Sequence, residues 1–258
     1  MKILLFLLFS AFCCWAQPPE TLLLSIAPSA AASSFTDPSD YSPHFWWQAG
    51  ALCTNNAGTV CVDDDEVKYI GDKSGNNNII VANGSVGGVY SNSVKNGCAA
   101  IWMASSAALM TNAAFTQGTF SQPFTIFAVF RATASGGYTF ALDGSTDANR
   151  VTFYKSSGDL LKSDAGTALG SLAVVDGTWY VATMRVNGNT STNSFNATKS
   201  GGAMGAGVLT GLSFGSTYAN TMQWNDSIGE IIGYHEFMTD AKVADVEGWL
   251  KTRWAITY

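Results

Sequence analysis

The hydrophobic pattern of this chain changes period once, at Thr239, and that change limits the folds open to it. Before Thr239 the apolar residues come in short runs. The runs are separated by Asn83-Gly84, Asp143-Gly144, Ser157-Gly158-Asp159, Asp176-Gly177 and Asn187-Gly188, residue types that tolerate positive φ in tight hairpins. Candidate strands are Thr125 to Arg131, Tyr138 to Leu142, Arg150 to Tyr154, Leu160 to Ser163, Trp179 to Val186, Ser194 to Ala197 and Val208 to Phe214. Their even spacing, with no helical pattern between them, predicts an antiparallel sandwich. Ile228 to Phe237 reads as a further strand, β-branched and aromatic but interrupted by Gly229 and Gly233. After Thr239 the spacing becomes helical. Thr239 caps the helix, Asp240 suits the positive end of its dipole, and Val243, Val246, Leu250 and Trp254 fall on one face.

Both the length and the composition of the chain suit one such domain. All-β domains reach the size of this 258-residue chain as single units, and no internal repeat divides it. Met1 to Ala16, with Lys2, an apolar run from Ile3 to Phe12 and Ala16 before Gln17, has the form of a cleavable secretory signal. The run is too short to span a bilayer, and no later stretch reaches 18 apolar residues, so a secreted protein without a membrane span is expected. Residues 17–43, rich in Pro, Ala and Ser, read as an extended leader, leaving 44–258 as the folded domain. Without Lys2 the chain keeps 12 basic against 19 acidic side chains. A surface of that sign repels phosphate backbones, so nucleic acid is excluded as a partner.

Three of the five cysteines lie beyond the signal. Cys53 and Cys61 bracket a polar loop that a disulfide would pin in an oxidising compartment. Cys98, in an apolar strand-like setting, is expected to be a buried thiol.

Several motifs carry a family resemblance. Ile228-Gly229-Glu230-Ile231-Ile232-Gly233-Tyr234, followed by a helix bearing Trp249, Leu250, Arg253 and Trp254, resembles the C-terminal signature of laminin-G-like, concanavalin-A-like jelly-roll domains. Phe45-Trp46-Trp47-Gln48-Ala49 is similar to the family's opening strand, Asp72-Lys73-Ser74-Gly75-Asn76 to its Asp-x-Ser-Gly-Asn loop, and Phe124 to Arg131 to its first long core strand. The resemblance implies a two-sheet antiparallel jelly-roll sandwich with one C-terminal helix. Ligand would lie on the outward side of the concave sheet. It also implies that Glu230 and Trp254 are structural, and that calcium is a possible cofactor, with Asp63, Asp65 and Glu66 in the run Asp63-Asp64-Asp65-Glu66 as oxygen donors.

Catalytic patterns are weaker. Gly211-Leu212-Ser213-Phe214-Gly215, with Asp226 and His235 following, imitates a hydrolase triad. A nucleophile elbow needs a strand, a sharp turn and a helix, whereas Ser213 precedes Thr-, Asn- and Gly-rich sequence. Laminarinase-type hydrolases of similar fold use an E-x-D-x-E strand, which is missing here. Glu230 and Glu236, six strand residues apart, are separated by roughly 20 Å, beyond the reach of either glycosidase geometry. His44 and His235 lack zinc-site spacing. These arguments lead to an expectation of no enzymatic activity.

Sugar binding remains. It needs flat aromatic faces beside hydrogen-bonding side chains, and Trp224 with Gln223, Asn225 and Asp226 is the sequence candidate. A glycan attached at the Asn225 sequon would cover that position. The expected function is a secreted, lectin-like domain binding carbohydrate or glycoprotein without catalysis. The alternatives are a structural or adhesive surface protein capable of self-association, and a glycoside hydrolase with an unrecognised site.

Overall fold

The computed structural model describes residues 35–83, 87–103 and 109–258. The expected signal, most of the expected leader and part of the Asn83-Gly84 turn lie outside the described residues. Among the described residues, seventeen strands and one α-helix follow in chain order. They are β1 Phe45–Gln48, β2 Cys53–Asn55, β3 Val67–Ile70, β4 Ile80–Ala82, β5 Val89–Lys95, β6 Cys98–Trp102, β7 Met110–Asn112, β8 Phe124–Ala132 and β9 Thr139–Gly144. Then come β10 Thr152–Lys155, β11 Leu160–Asp164, β12 Ala168–Ala173, β13 Thr178–Val186, β14 Ser191–Phe195, β15 Thr198–Gly202, β16 Leu212–Phe214, β17 Ser227–Tyr234 and α1 Asp240–Trp254.

The strands form two antiparallel sheets. One has eight strands in the order β15-β14-β13-β8-β17-β6-β5, with β1 paired to β17; the other has nine, β12-β11-β10-β9-β16-β7-β4-β3-β2. This is the expected all-β sandwich with a single C-terminal helix.

The helix explains why the central strands of the eight-stranded sheet are apolar on both faces. In β8, Phe124, Ile126, Ala128 and Phe130 point into the core between the sheets, while Phe127 and Val129 point into a second core under α1. Val243, Val246, Leu250 and Trp254 complete that second core. Strands buried on both sides lose hydrophobic alternation, which accounts for the unbroken run Phe124-Thr125-Ile126-Phe127-Ala128-Val129-Phe130. With the central strands of that sheet covered on both faces, the broad open strand surface lies on the outside of the nine-stranded sheet, and a smaller hollow remains over β13, β14 and β15 beside α1.

Local chemistry sets the boundaries. The Thr239 hydroxyl accepts from the Lys242 amide at 3.4 Å, and Ala255 closes α1 in a left-handed conformation. Asn196 and Ala197 were expected to continue a strand, but they turn with φ of 46° and 62° between β14 and β15. In Val208 to Phe214 only Leu212–Phe214 is strand. Asp143-Gly144 ends β9 rather than making a tight hairpin turn. Asp143 is fully buried and held by Arg150 through Nε and Nη2, both at 3.0 Å.

Cys53 and Cys61 form a disulfide with Cα atoms 5.5 Å apart. Cys98 is a free, buried thiol whose pKa is raised, first by burial. No helix among the described residues is long and apolar enough to cross a membrane.

Candidate functional site

On the open face of the nine-stranded sheet, β9, the residue just before it and β10 present an aromatic row. Phe153 and Leu142 face the core, so Tyr154 and Phe140 face outward, placed opposite each other by a register shift between Phe153 and Tyr154. Their rings stack with centroids 5.3 Å apart and planes 15° apart, and Tyr138 extends the row at 6.4 Å and 21°. Tyr138 is 49% exposed. These separations lie in the range of ordinary aromatic pairs.

Two adjoining hollows flank the row. The larger, about 550 Å³, is walled by Asp147, Arg150, Thr152 and Asp164 and by residues 165–166 and 206–207. The second, about 340 Å³, is closed by Thr217, Tyr218, Ala219, Thr221 and Met222, and shares Tyr138, Phe140 and Arg150 with the first. The Arg150 guanidinium lies 5.4 Å from the Phe140 ring centroid and 5.5 Å from that of Tyr218. Burial raises the Asp143 pKa, against the Arg150 bonds that hold it down. The Tyr154 and Tyr218 phenols are both raised, first by burial and then by Asp164 and Asp147 respectively. Thr152 is 3% exposed, and its hydroxyl has no hydrogen-bond partner.

The sequence candidates occupy other places. Trp224 is 1% exposed, packed edge to face on Phe130, with its indole N–H donating to the Arg131 carbonyl at 3.0 Å. It offers no face to a ligand, which corrects the expectation of an exposed platform. Asp226 is also buried, binding Arg131 Nε at 2.5 Å and the Thr133 hydroxyl at 2.6 Å. Gln223 is half-buried and donates to the Asn220 carbonyl, while Asn225 is exposed. Their loop still borders the cleft, through residues 217–222.

The acidic run does not converge. Asp63 accepts from the Asn92 amide, Asp65 from Asn55 and the Val62 amide, and Glu66 from Asn56. Among the described residues no three His, Cys, Asp or Glu side chains gather as metal ligands, so the expected calcium set is not assembled. The triad imitation also separates. Ser213 pairs across strands with Thr111 and Asp143, Asp226 is taken by Arg131, and His235 lies against Ser121 and the His44 ring.

Glu230 sits beneath α1. It is fully buried and accepts from the indoles of Trp46 at 2.6 Å and Trp254 at 3.1 Å. Arg253 Nε is 3.3 Å away but is not aligned for a hydrogen bond. Burial pushes the carboxyl pKa up, while the two indoles, Arg253 and Lys73 pull it down. Trp254 is completely buried over Gly229.

No protein-family model and no curated protein matches the sequence. Solved structures match in fold. An arabinofuranosidase complexed with arabinofuranosyl-α-1,2-xylobiose superposes with a TM-score of 0.62 at 11% identity, over 85% of this chain and 65% of its own. Domain 4 of an extracellular arabinanase from Geobacillus stearothermophilus, in complex with arabinotriose, gives 0.50 at 14% identity, over 70% of this chain and 99% of that domain. Trypanosoma rangeli sialidase in complex with sialic acid gives 0.50 at 11%, over 83% of this chain and 33% of the sialidase. The chain thus spans under two thirds of the arabinofuranosidase and a third of the sialidase.

These neighbours define the class, a two-sheet antiparallel β-sandwich of the kind found in glycoside hydrolases and sialidases. They also correct the expectation of no enzymatic activity. A missing E-x-D-x-E strand argues against the laminarinase arrangement alone, and the sandwich occurs in hydrolases of other kinds.

Proposed function

We propose that this domain binds carbohydrate along the Tyr138–Tyr154–Phe140 row, and that it does so outside the cell. The carrying observation is the row itself: stacked, outward-facing rings bordered by Arg150, Asp147 and Asp164. A sugar ring lays its C–H face on such a surface and offers its hydroxyls to the flanking polar groups. The arabinose-containing ligands of two fold neighbours support this reading, as does the motif resemblance to lectin-like jelly rolls. The Cys53–Cys61 disulfide supports an oxidising compartment.

Titration calorimetry with arabino-oligosaccharides tests the proposal. Saturable binding is expected, with a loss of about tenfold or more in Tyr154→Ala, and binding unchanged in a Tyr138→Ala/Tyr154→Ala double variant would refute it. A second reading, glycoside hydrolysis, rests on two carboxylates lining one cleft, the group type that glycosidic cleavage uses in pairs. Release of reducing ends on incubation, lost in Asp147→Asn or Asp164→Asn, would establish it.

A further inference from the structure

The charged groups of the cleft are arranged in a way that bears on which sugars fit. Arg150 is the cation in its wall, and two of its donors, Nε and Nη2, are already spent on Asp143 in a bidentate pair. A ligand carboxylate is recognised best by such a two-pronged fork, and here the fork is occupied from below. Asp147 and Asp164 line the same hollow; Asp147 takes the Tyr218 hydroxyl and feels the Arg150 charge, and Asp164 accepts from the Gly166 amide. Lys162, across from Tyr154 on β11, returns one positive charge at the edge. The sum over Asp143, Asp147, Asp164, Arg150 and Lys162 remains negative.

The floor carries a second signal. Thr152, directly opposite Asp164 in the β10–β11 register, is 3% exposed, lines the hollow, and has a hydroxyl with no protein partner. The oxygen itself is closed to solvent; buried hydroxyls are almost always satisfied, so one left without a partner among the described residues points to a ligand group that meets it once the side chain turns into the hollow. A hydroxyl that both donates and accepts, beside a carboxylate that only accepts, matches the vicinal hydroxyls of an uncharged sugar.

Resting on the carbohydrate reading above, we propose that the cleft selects neutral glycans over acidic ones, with Thr152 and Asp164 receiving the sugar's hydroxyls. Asp147 and Asp164 repel a uronate, while the Asp143 clamp withholds Arg150 from it. The discrimination is electrostatic at a partly exposed site, so it weakens with salt.

The test compares a neutral arabinoxylan oligosaccharide with an oligogalacturonate of the same length, by calorimetry at low and high ionic strength. The neutral ligand is expected to bind at least about tenfold more tightly at low salt, with the ratio narrowing at high salt. Asp147→Asn/Asp164→Asn should narrow it roughly three- to tenfold, the scale of two partly exposed charges. Thr152→Val should weaken the neutral ligand by about three- to tenfold and Thr152→Ser should restore it, a contrast that a packing role would not produce. Equal or tighter uronate binding, or a ratio indifferent to the double substitution, overturns the selectivity and leaves carbohydrate binding standing. Binding of neither ligand overturns both.

Discussion

Replacing Glu230 with alanine should cost this domain a large part of its stability. The carboxylate is fully buried and accepts two indole N–H groups, from Trp46 at 2.6 Å and Trp254 at 3.1 Å, with Arg253 Nε at 3.3 Å. Removing it strands two buried donors, each costing about 1 to 3 kcal/mol when unsatisfied, and leaves the guanidinium without its counter-charge. Arg253 is 30% exposed and regains water, so the two stranded donors set the expected loss, about 2 to 6 kcal/mol in all. Against a typical domain stability of roughly 5 to 15 kcal/mol, this is a large fraction. Glu230→Gln keeps the shape and one acceptor, so about half that loss is expected. Equilibrium urea unfolding measures both, and tryptophan fluorescence is a direct reporter because two of the indoles bind the mutated group. A loss below about 1 kcal/mol for Glu230→Ala would refute the structural role.

Other perturbations test the packing around this strand. Gly229 lies under the Trp254 ring, so an added Cβ would come within 2.1 Å of it; Gly229→Ala should cost about 2 to 3 kcal/mol, and an unchanged melting temperature would count against it. His44 is buried against Phe115, Phe120 and His235, and burial, then the charge of His235, lowers its pKa from 6.5 to about 4, opposed by Asp72. The unfolded chain takes up the proton first, so this stability is present above pH 6.5 and is lost as pH falls from 6.5 towards about 4. Up to about 3 kcal/mol is at stake. Urea unfolding between pH 7.5 and 4.5 should show the decline, and His44→Phe should flatten it; an identical decline in that variant would show that other groups are responsible.

The sequence carried the fold more clearly than the site, for physical reasons. Spacing of three and four marked the face of α1 correctly because Val243, Val246, Leu250 and Trp254 all pack on one sheet. The long strands β8 and β13 were legible from apolar content, whereas the three-residue strands β2, β4 and β7 are too short to show a period. The site failed for a different reason. Trp224 stands among polar neighbours in the chain, yet its indole finds a carbonyl partner on β8 and buries completely. Composition around a tryptophan does not report which way the backbone turns it. Tyr138, Phe140 and Tyr154 had a weak signal, aromatics at outward positions on successive strands. Reading it needed the register shift at Phe153/Tyr154, a tertiary feature. Asp143 looked like a turn residue for the same reason, since its partner Arg150 comes from the following segment.

The placement of β17 also affects when this domain can exist at all. Its neighbours are β1, β6 and β8, so a strand made after every other described strand of the eight-stranded sheet occupies the middle of it. Phe45 waits for Gly233, and Trp46 waits for Ile232 and the Glu230 carboxylate. A ribosome that has delivered everything up to Asp226 has produced two sheet halves without the strand that joins them. Non-local pairing of this kind folds slowly and leaves apolar edges open meanwhile. The domain therefore completes its sheet only after Tyr234 has emerged, and α1 must follow to cover the second core. Until then the apolar surfaces that β17 and α1 cover are open to solvent.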